Sequence, residues 1–159
     1  MGRSVRHVLD VGCGEGLWRA PLVARRAGIS YHGVDPSAYV VQRFGRRRGI
    51  THGTFGGLAA LHLRDAYDLI VCADMLHYLD AAELRAGLTA IAPRLGGVAY
   101  LPVVTSSDEV DGDVGALVRR RPAWYRARFR EAGLVPVGLE CYVRRETVAG
   151  LTALEGRPA

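Results

Sequence analysis

The sequence contains no lysine: all 21 of its lysine-or-arginine positions are arginine. A loss that complete reads as the codon bias of a GC-rich genome rather than as selection at one site. Arginine's planar fork still suits carboxylates and phosphates, and the net charge of +5 leaves an acidic or nucleic-acid partner open. Cysteine is scarce. Cys13, Cys72 and Cys141 are odd in number and widely spaced, which excludes a disulfide framework and a zinc pattern, so no metal is expected. No apolar run is long enough to span a bilayer, so no membrane contact is expected. The start, MGRSVRHVLD, lacks the apolar stretch and cleavage site of a signal peptide, and a cytoplasmic location is expected. Repeats and low-complexity tracts are also missing. The 159 residues fit one domain, 1–159, and with 49% of them hydrophobic the chain can bury a core.

What is present is alternation. Short β-branched apolar runs are separated by helical patterns, the mark of βαβ units around a parallel sheet. Strands are expected at Arg6–Val11, Tyr31–Val34, Ile50–Phe55, Tyr67–Ala73 and Val98–Val104, then a terminal antiparallel pair at Leu134–Val143 and Thr147–Leu154. A first helix is expected over Leu17–Ala27. Its regular turns should start near Arg19 or Ala20, because Pro21 is tolerated only in a first turn. The second helix, Ala38–Arg47, opens after Pro36-Ser37. The third opens on the capping-box pair Asp80 and Glu83, runs to Ala92, and is ended by Pro93 and Gly96-Gly97. A fourth covers Pro122–Ala132 and is closed by Gly133. The polar stretch Thr105–Gly115 reads as a mobile loop. Its acids Asp108, Glu109, Asp111 and Asp113 lack the closing glutamate of a calcium loop.

The most informative segment is Val8-Leu9-Asp10-Val11-Gly12-Cys13-Gly14-Glu15-Gly16. A strand runs into a turn with glycine at every second position, where the backbone turns tightly and approaches a ligand with no Cβ in the way. Nicotinamide enzymes prefer G-x-G-x-x-G, whose helix cradles a pyrophosphate. Here Asp10 and Glu15 flank the turn. They repel a pyrophosphate and tolerate a sulfonium and an ammonium, which favours S-adenosylmethionine over NAD. Asp35 follows the second strand, where an acid accepts from both ribose hydroxyls. Equally, Asp35 or Ser37 is placed to start the helix.

The segments VLDVGCGEG, YHGVDPS and YDLIVCADMLHYL resemble, in order, three motifs of the class I S-adenosylmethionine-dependent methyltransferases. WYRARFREAGLVPVGLECYV is similar to their last helix and the strand after it. The resemblance runs from Arg6 to Leu154. It implies a Rossmann-like α/β fold: a seven-stranded, mostly parallel sheet, helices on both faces, and an antiparallel C-terminal strand. It also implies an enzyme that uses S-adenosylmethionine and releases S-adenosylhomocysteine. By that resemblance Gly12, Cys13 and Gly14 hold the methionine part, with Asp10 nearby through water. Asp35 binds the ribose and Pro36 borders the adenine. Cys72 and Ala73 offer backbone groups to the methionine end. The family often has Gly-Asp after the third strand, whereas this chain reads Gly53-Thr54-Phe55, so Thr54 offers a hydroxyl and Phe55 an apolar face instead.

Methyl transfer is an in-line displacement, for which the protein chiefly positions the nucleophile. Candidates follow the fourth strand. His77 is a candidate base or packs under the adenosyl group; Asp74 is a candidate contact for an amine acceptor; Tyr78 is a wall. Trp18, Trp124 and Tyr125 read as core or interface, with Trp124-Tyr125 also placed to line a pocket. Few residues precede Arg6, so the helices that usually roof such a site before the first strand are expected to be absent, natively or through a truncated or mis-started product. The cover is then Thr105–Pro122, a partner chain or second copy, or a larger substrate. The expected acceptor is a small or medium-sized molecule. An RNA acceptor gripped by Arg46-Arg47-Arg48, Arg119-Arg120-Arg121 and the alternate arginines Arg126, Arg128 and Arg130 is the alternative, as is a donor-binding subunit without catalysis.

Overall fold

The structure is a computed structural model that describes residues 4–109 and 117–148. Its strands are β1 (His7–Val11), β2 (Ser30–Asp35), β3 (Ile50–His52), β4 (Tyr67–Val71), β5 (Leu95–Tyr100), β6 (Leu134–Gly138) and β7 (Cys141–Arg144). The helices are α1 (Arg19–Arg25), α2 (Ala38–Arg48), α3 (Ala81–Ile91) and α4 (Pro122–Glu131). The strands form one sheet in the order β3-β2-β1-β4-β5-β7-β6. β7 is antiparallel to both its neighbours, and the other six strands share one direction.

This order positions the site. The chain steps from β1 outward to β2 and β3, returns to β4 beside β1, and then moves the opposite way. Right-handed crossovers therefore put α1 and α2 on one face and α3 on the other. The reversal between β1 and β4 opens a crevice at the strands' C-terminal ends. Leu9, Ile70 and Ala99 share one face of the sheet and form a single core with Leu84 and Leu88 of α3 and Tyr125 and Phe129 of α4. By contrast α1 buries none of its residues.

The local signals act as the sequence dictates. Asp80 accepts from the Ala82 and Glu83 backbone N–H groups at 2.7 and 2.8 Å, and Glu83 accepts from the Asp80 N–H, a complete capping box. Ser37 caps α2, its hydroxyl accepting from the Val40 N–H, which leaves Asp35 free of that duty.

Several boundaries differ from expectation; β4 ends at Val71 rather than Ala73, and β5 at Tyr100 rather than Val104. β3 stops at His52, and the last bond of its ladder with β2 is the Gly53 N–H donating to the Asp35 carbonyl at 3.1 Å. β5 starts at Leu95 rather than Val98 and takes in Gly96-Gly97; a Cβ on Gly97 would lie 2.1 Å from the Asp68 carbonyl oxygen, so only glycine passes that close to β4. The expected single strand Leu134–Val143 is in fact the whole terminal hairpin. Gly138 pairs with Cys141 around Leu139 and Glu140, whose φ values of 51° and 57° make a two-residue turn of the primed type. The second expected strand begins at Thr147, where the backbone is helical; 149–154 lie outside the described residues.

Candidate active site

The site begins with the turn after β1. The Gly12 and Cys13 N–H groups both donate to the Val34 carbonyl, at 2.8 and 3.2 Å, and the Gly16 N–H closes the turn onto the Cys13 carbonyl. Gly12 and Gly14 have φ of 68° and 51°, where a side chain is strained. Their surroundings differ. A Cβ on Gly12 would lie 2.7 Å from Met75 Cγ, whereas one on Gly14 would meet nothing within 4 Å. Gly12 is thus closed by the protein itself and Gly14 presents an open face. Arg48 holds the turn to α2, donating to the Glu15 carbonyl at 2.6 Å and lying 3.5 Å from its carboxylate.

Asp35, at the end of β2, is buried. Its Oδ2 accepts from the Gly14 N–H at 2.7 Å and its Oδ1 from the Ser37 N–H at 2.9 Å. A carboxylate has about four acceptor positions, so each oxygen keeps one for an incoming donor. The carboxylate is held from both sides before any ligand arrives. Pro36 beside it is exposed, its carbonyl accepting from His52 Nε2 at 3.0 Å.

Asp10 lies beneath the turn, buried, with the Tyr31 hydroxyl donating to its Oδ2 at 2.5 Å. Burial pushes this carboxyl up to about 6; the Tyr31 bond draws it back and the Asp35 charge adds to the rise. Burial, with the Asp10 and Asp35 charges, raises the Cys13 thiol to about 12, and Cys72 is raised well above its ordinary value by burial first. Neither sulfur is a thiolate nucleophile. The Cys72 N–H is engaged by the Tyr100 carbonyl at 3.0 Å, which leaves its carbonyl and the Ala73 backbone as the groups β4 offers. Thr54 is exposed and accepts from the Gly57 N–H. Phe55 departs from its expected role: it is 2% exposed and its ring lies against Gly87 of α3, so it belongs to the core and offers no face at the crevice.

The segment after β4 closes the other side. Asp74 is exposed and has φ of 56°, in the left-handed region that aspartate tolerates better than most side chains. Met75 lies over Gly12. His77 is 4% exposed, and its Nδ1 accepts from the Val104 N–H at 3.3 Å while its carbonyl accepts from the Val118 N–H. Burial lowers its pKa, with the Asp74 charge opposing. A neutral ring that accepts at Nδ1 carries its proton on Nε2. Tyr78 is 50% exposed and its ring stands 4.5 Å from that of His77.

Sequence reasoning missed the outer wall. The Trp18 and Tyr100 rings, one just after the glycine turn and the other at the end of β5, are 5.6 Å apart. Burial raises the Tyr100 phenol, and the charges of Glu140, Asp74 and Cys141 raise it further. Glu140 arrives through the β6–β7 turn, whose carbonyl accepts from the Leu101 N–H at 3.0 Å. No local signal marks Glu140, because only strand order brings it there. Trp124-Tyr125 do not form a pocket wall together: Tyr125 is in the core, and Trp124 carries the Arg120 guanidinium over its ring at 4.2 Å. The arginine triplets are partly engaged inside the chain, Arg119 at the Asp108 carbonyl and Arg120 at the Leu79 carbonyl. Asp108 itself accepts from the Thr105 N–H and hydroxyl; Asp111 and Asp113 lie outside the described residues.

A family model described as a methyltransferase domain matches residues 2–151. No curated protein matches. Among solved structures, the chain is similar to a methyltransferase from Haloferax volcanii in complex with the Trm112 methyltransferase activator. Identity is 25%, the TM-score is 0.63, and the match covers 83% of this chain and 62%, less than two thirds, of that one. It is also similar to a TehB-like S-adenosylmethionine-dependent methyltransferase from Corynebacterium glutamicum (17% identity, TM-score 0.66, 91% and 83% covered). A third similar structure is the sugar N-methyltransferase KedS8 from a Streptoalloteichus species (21% identity, TM-score 0.69, 88% and 80% covered).

Proposed function

From the premise that this chain belongs to the methyltransferase-domain family, within the class I S-adenosylmethionine-dependent methyltransferases, we propose that it methylates a small acceptor that carries an amine. The observation that carries the donor site is Asp35: one acceptor position remains on each of its oxygens, as a vicinal ribose diol requires, beside the open face of Gly14. The residues fit the donor. Asp35 would hold the ribose; the backbone of Gly12, Cys13 and Gly14 and the carbonyls of Cys72 and Ala73 would hold the methionine part; Pro36 and Thr54 would border the adenine. Asp10, beneath the turn, adds negative charge that favours a cationic ligand. When bound, S-adenosylmethionine supplies a methyl group on a positively charged sulfur, open to in-line attack.

The chain's own residues then have to bring a nucleophile to that point and exclude water. Trp18, Tyr100 and Tyr78 supply flat apolar walls on which a ring can stack. Asp74 and Glu140, whose charges both reach the Tyr100 phenol, draw in a protonated amine and accept its proton as it becomes the free nucleophile. His77 is assigned to positioning rather than to base catalysis. Its unprotonated nitrogen points at the Val104 N–H, and charging the ring would break that bond. KedS8, similar in fold, is a sugar N-methyltransferase, which agrees with this reading of the acids.

A matched panel of amines and alcohols, assayed for S-adenosylhomocysteine release, tests the reading. Amines are expected to be methylated, and Asp74→Asn with Glu140→Gln to raise their KM about tenfold or more, as loss of charge-assisted contacts does. Methylation of alcohols alone, or amine KM values unmoved by both substitutions, contradicts it. A partner chain is the second reading for the cover: α1 buries nothing and Leu17 is 76% exposed, and the Haloferax protein is held with an activator. Light scattering with and without acceptor reads a second copy directly.

A further inference from the structure

Far from the glycine turn, α4 and the β6–β7 hairpin enclose a second pocket of about 270 Å³. Its floor is apolar: Phe129, Leu134 and Tyr142, with the Phe129 and Tyr142 rings 4.8 Å apart and edge to face. Its rim is three arginines, Arg126, Arg130 and Arg145, all exposed. No acidic residue lines it.

The disposition of charge around this pocket is selective. On α4, Arg126 and Arg130 are four residues apart and share a face, where like charges repel; Arg128, on another face, is paired with Glu131 at 2.5 Å. At the end of β7, Arg144 is paired with Glu146 while its neighbour Arg145 lines the pocket. The acids at hand thus neutralise the arginines outside the pocket. Among the described residues, none of the three rim guanidiniums has a hydrogen-bond or ion-pair partner. Three unpaired forks over an aromatic floor match a ligand with a flat apolar body and an anionic head. The volume is near the lower end of ligand pockets, about 300 Å³, which suits a single ring.

We propose that this pocket binds a small aromatic carboxylate or a like organic anion, at a site separate from the methyl-transfer crevice. The proposal does not depend on the function assigned above. Edge-strand pairing by a peptide is disfavoured here, because Pro136 interrupts the donors of β6.

Fluorine NMR with 4-(trifluoromethyl)benzoate, against the neutral 4-(trifluoromethyl)benzamide, tests it on the full chain. Saturable binding of the benzoate is expected, with the amide about tenfold weaker. Arg126→Ala with Arg130→Ala should weaken benzoate binding by about tenfold or more, while Arg46→Ala with Arg47→Ala, on the exposed face of α2, should leave it unchanged. Thermal melts of both variants establish that they fold. Equal binding of benzoate and amide, equal loss in both double variants, or competition by inorganic phosphate as strong as by benzoate each overturns the proposal. S-adenosylhomocysteine affinity should be the same in all of them.

Discussion

At the scale of single residues, the two glycines of the turn separate stability from binding. Gly12→Ala combines left-handed strain of about 1–2 kcal/mol with overlap on Met75, so both the melting temperature and donor affinity should fall. Gly14→Ala carries the strain alone, since nothing of the protein stands near its Cβ. Its fold should survive while S-adenosylhomocysteine affinity drops about tenfold or more, measured by calorimetry beside a melt. An unchanged affinity would show that the open face is not where the donor sits. Asp10 yields a pH prediction. Its folded-state pKa of about 6 lies above the ordinary 3.8, so its stabilising contribution is whole below pH 3.8 and is lost as pH rises through about 6. The difference corresponds to about 3 kcal/mol at most. Chemical denaturation of Asp10→Asn should therefore lack a downward step between pH 4 and 7 that the parent shows; parallel curves would contradict the burial of this charge. Glycine spacing and Asp35 were legible in the sequence because a turn and the end of a strand are local. The Tyr31–Asp10 bond and the inward turn of Phe55 were not, because each depends on a neighbour distant in the chain: Tyr31 crosses from β2, and Gly87 opens space for the ring from α3.

Among the elements, those with chemical punctuation were placed best. The Asp80–Glu83 box, Ser37 and Pro122 start α3, α2 and α4 as their side chains require. The β6–β7 turn went unread because Leu139-Glu140 has none of the Asn-Gly chemistry that φ values of 51° and 57° favour. That mismatch falls at Glu140, the residue proposed to meet the acceptor. Leu139→Asn with Glu140→Gly should relieve about 1 kcal/mol of strain and raise the melting temperature by about 2–4 °C, yet lower amine methylation. A variant that is more stable and fully active would remove Glu140 from the site.

For the whole molecule, strand order is what no local pattern could supply. The crevice exists because the chain reverses direction between β1 and β4, and the residues proposed to hold the donor lie at or just past the strands' C-terminal ends. Among the described residues no helix is long and apolar enough to cross a membrane. Asp35 and the glycine turn are the proposed hold on S-adenosylmethionine. Isothermal calorimetry with S-adenosylmethionine, S-adenosylhomocysteine and NAD, on the parent chain and on Asp35→Ala, tests it most directly. Both adenosyl ligands are expected to bind and NAD is not, and the substitution is expected to weaken binding about tenfold or more through loss of a charge-assisted bidentate contact. Binding of NAD in their place, or adenosyl affinities that Asp35→Ala leaves unchanged, would contradict it.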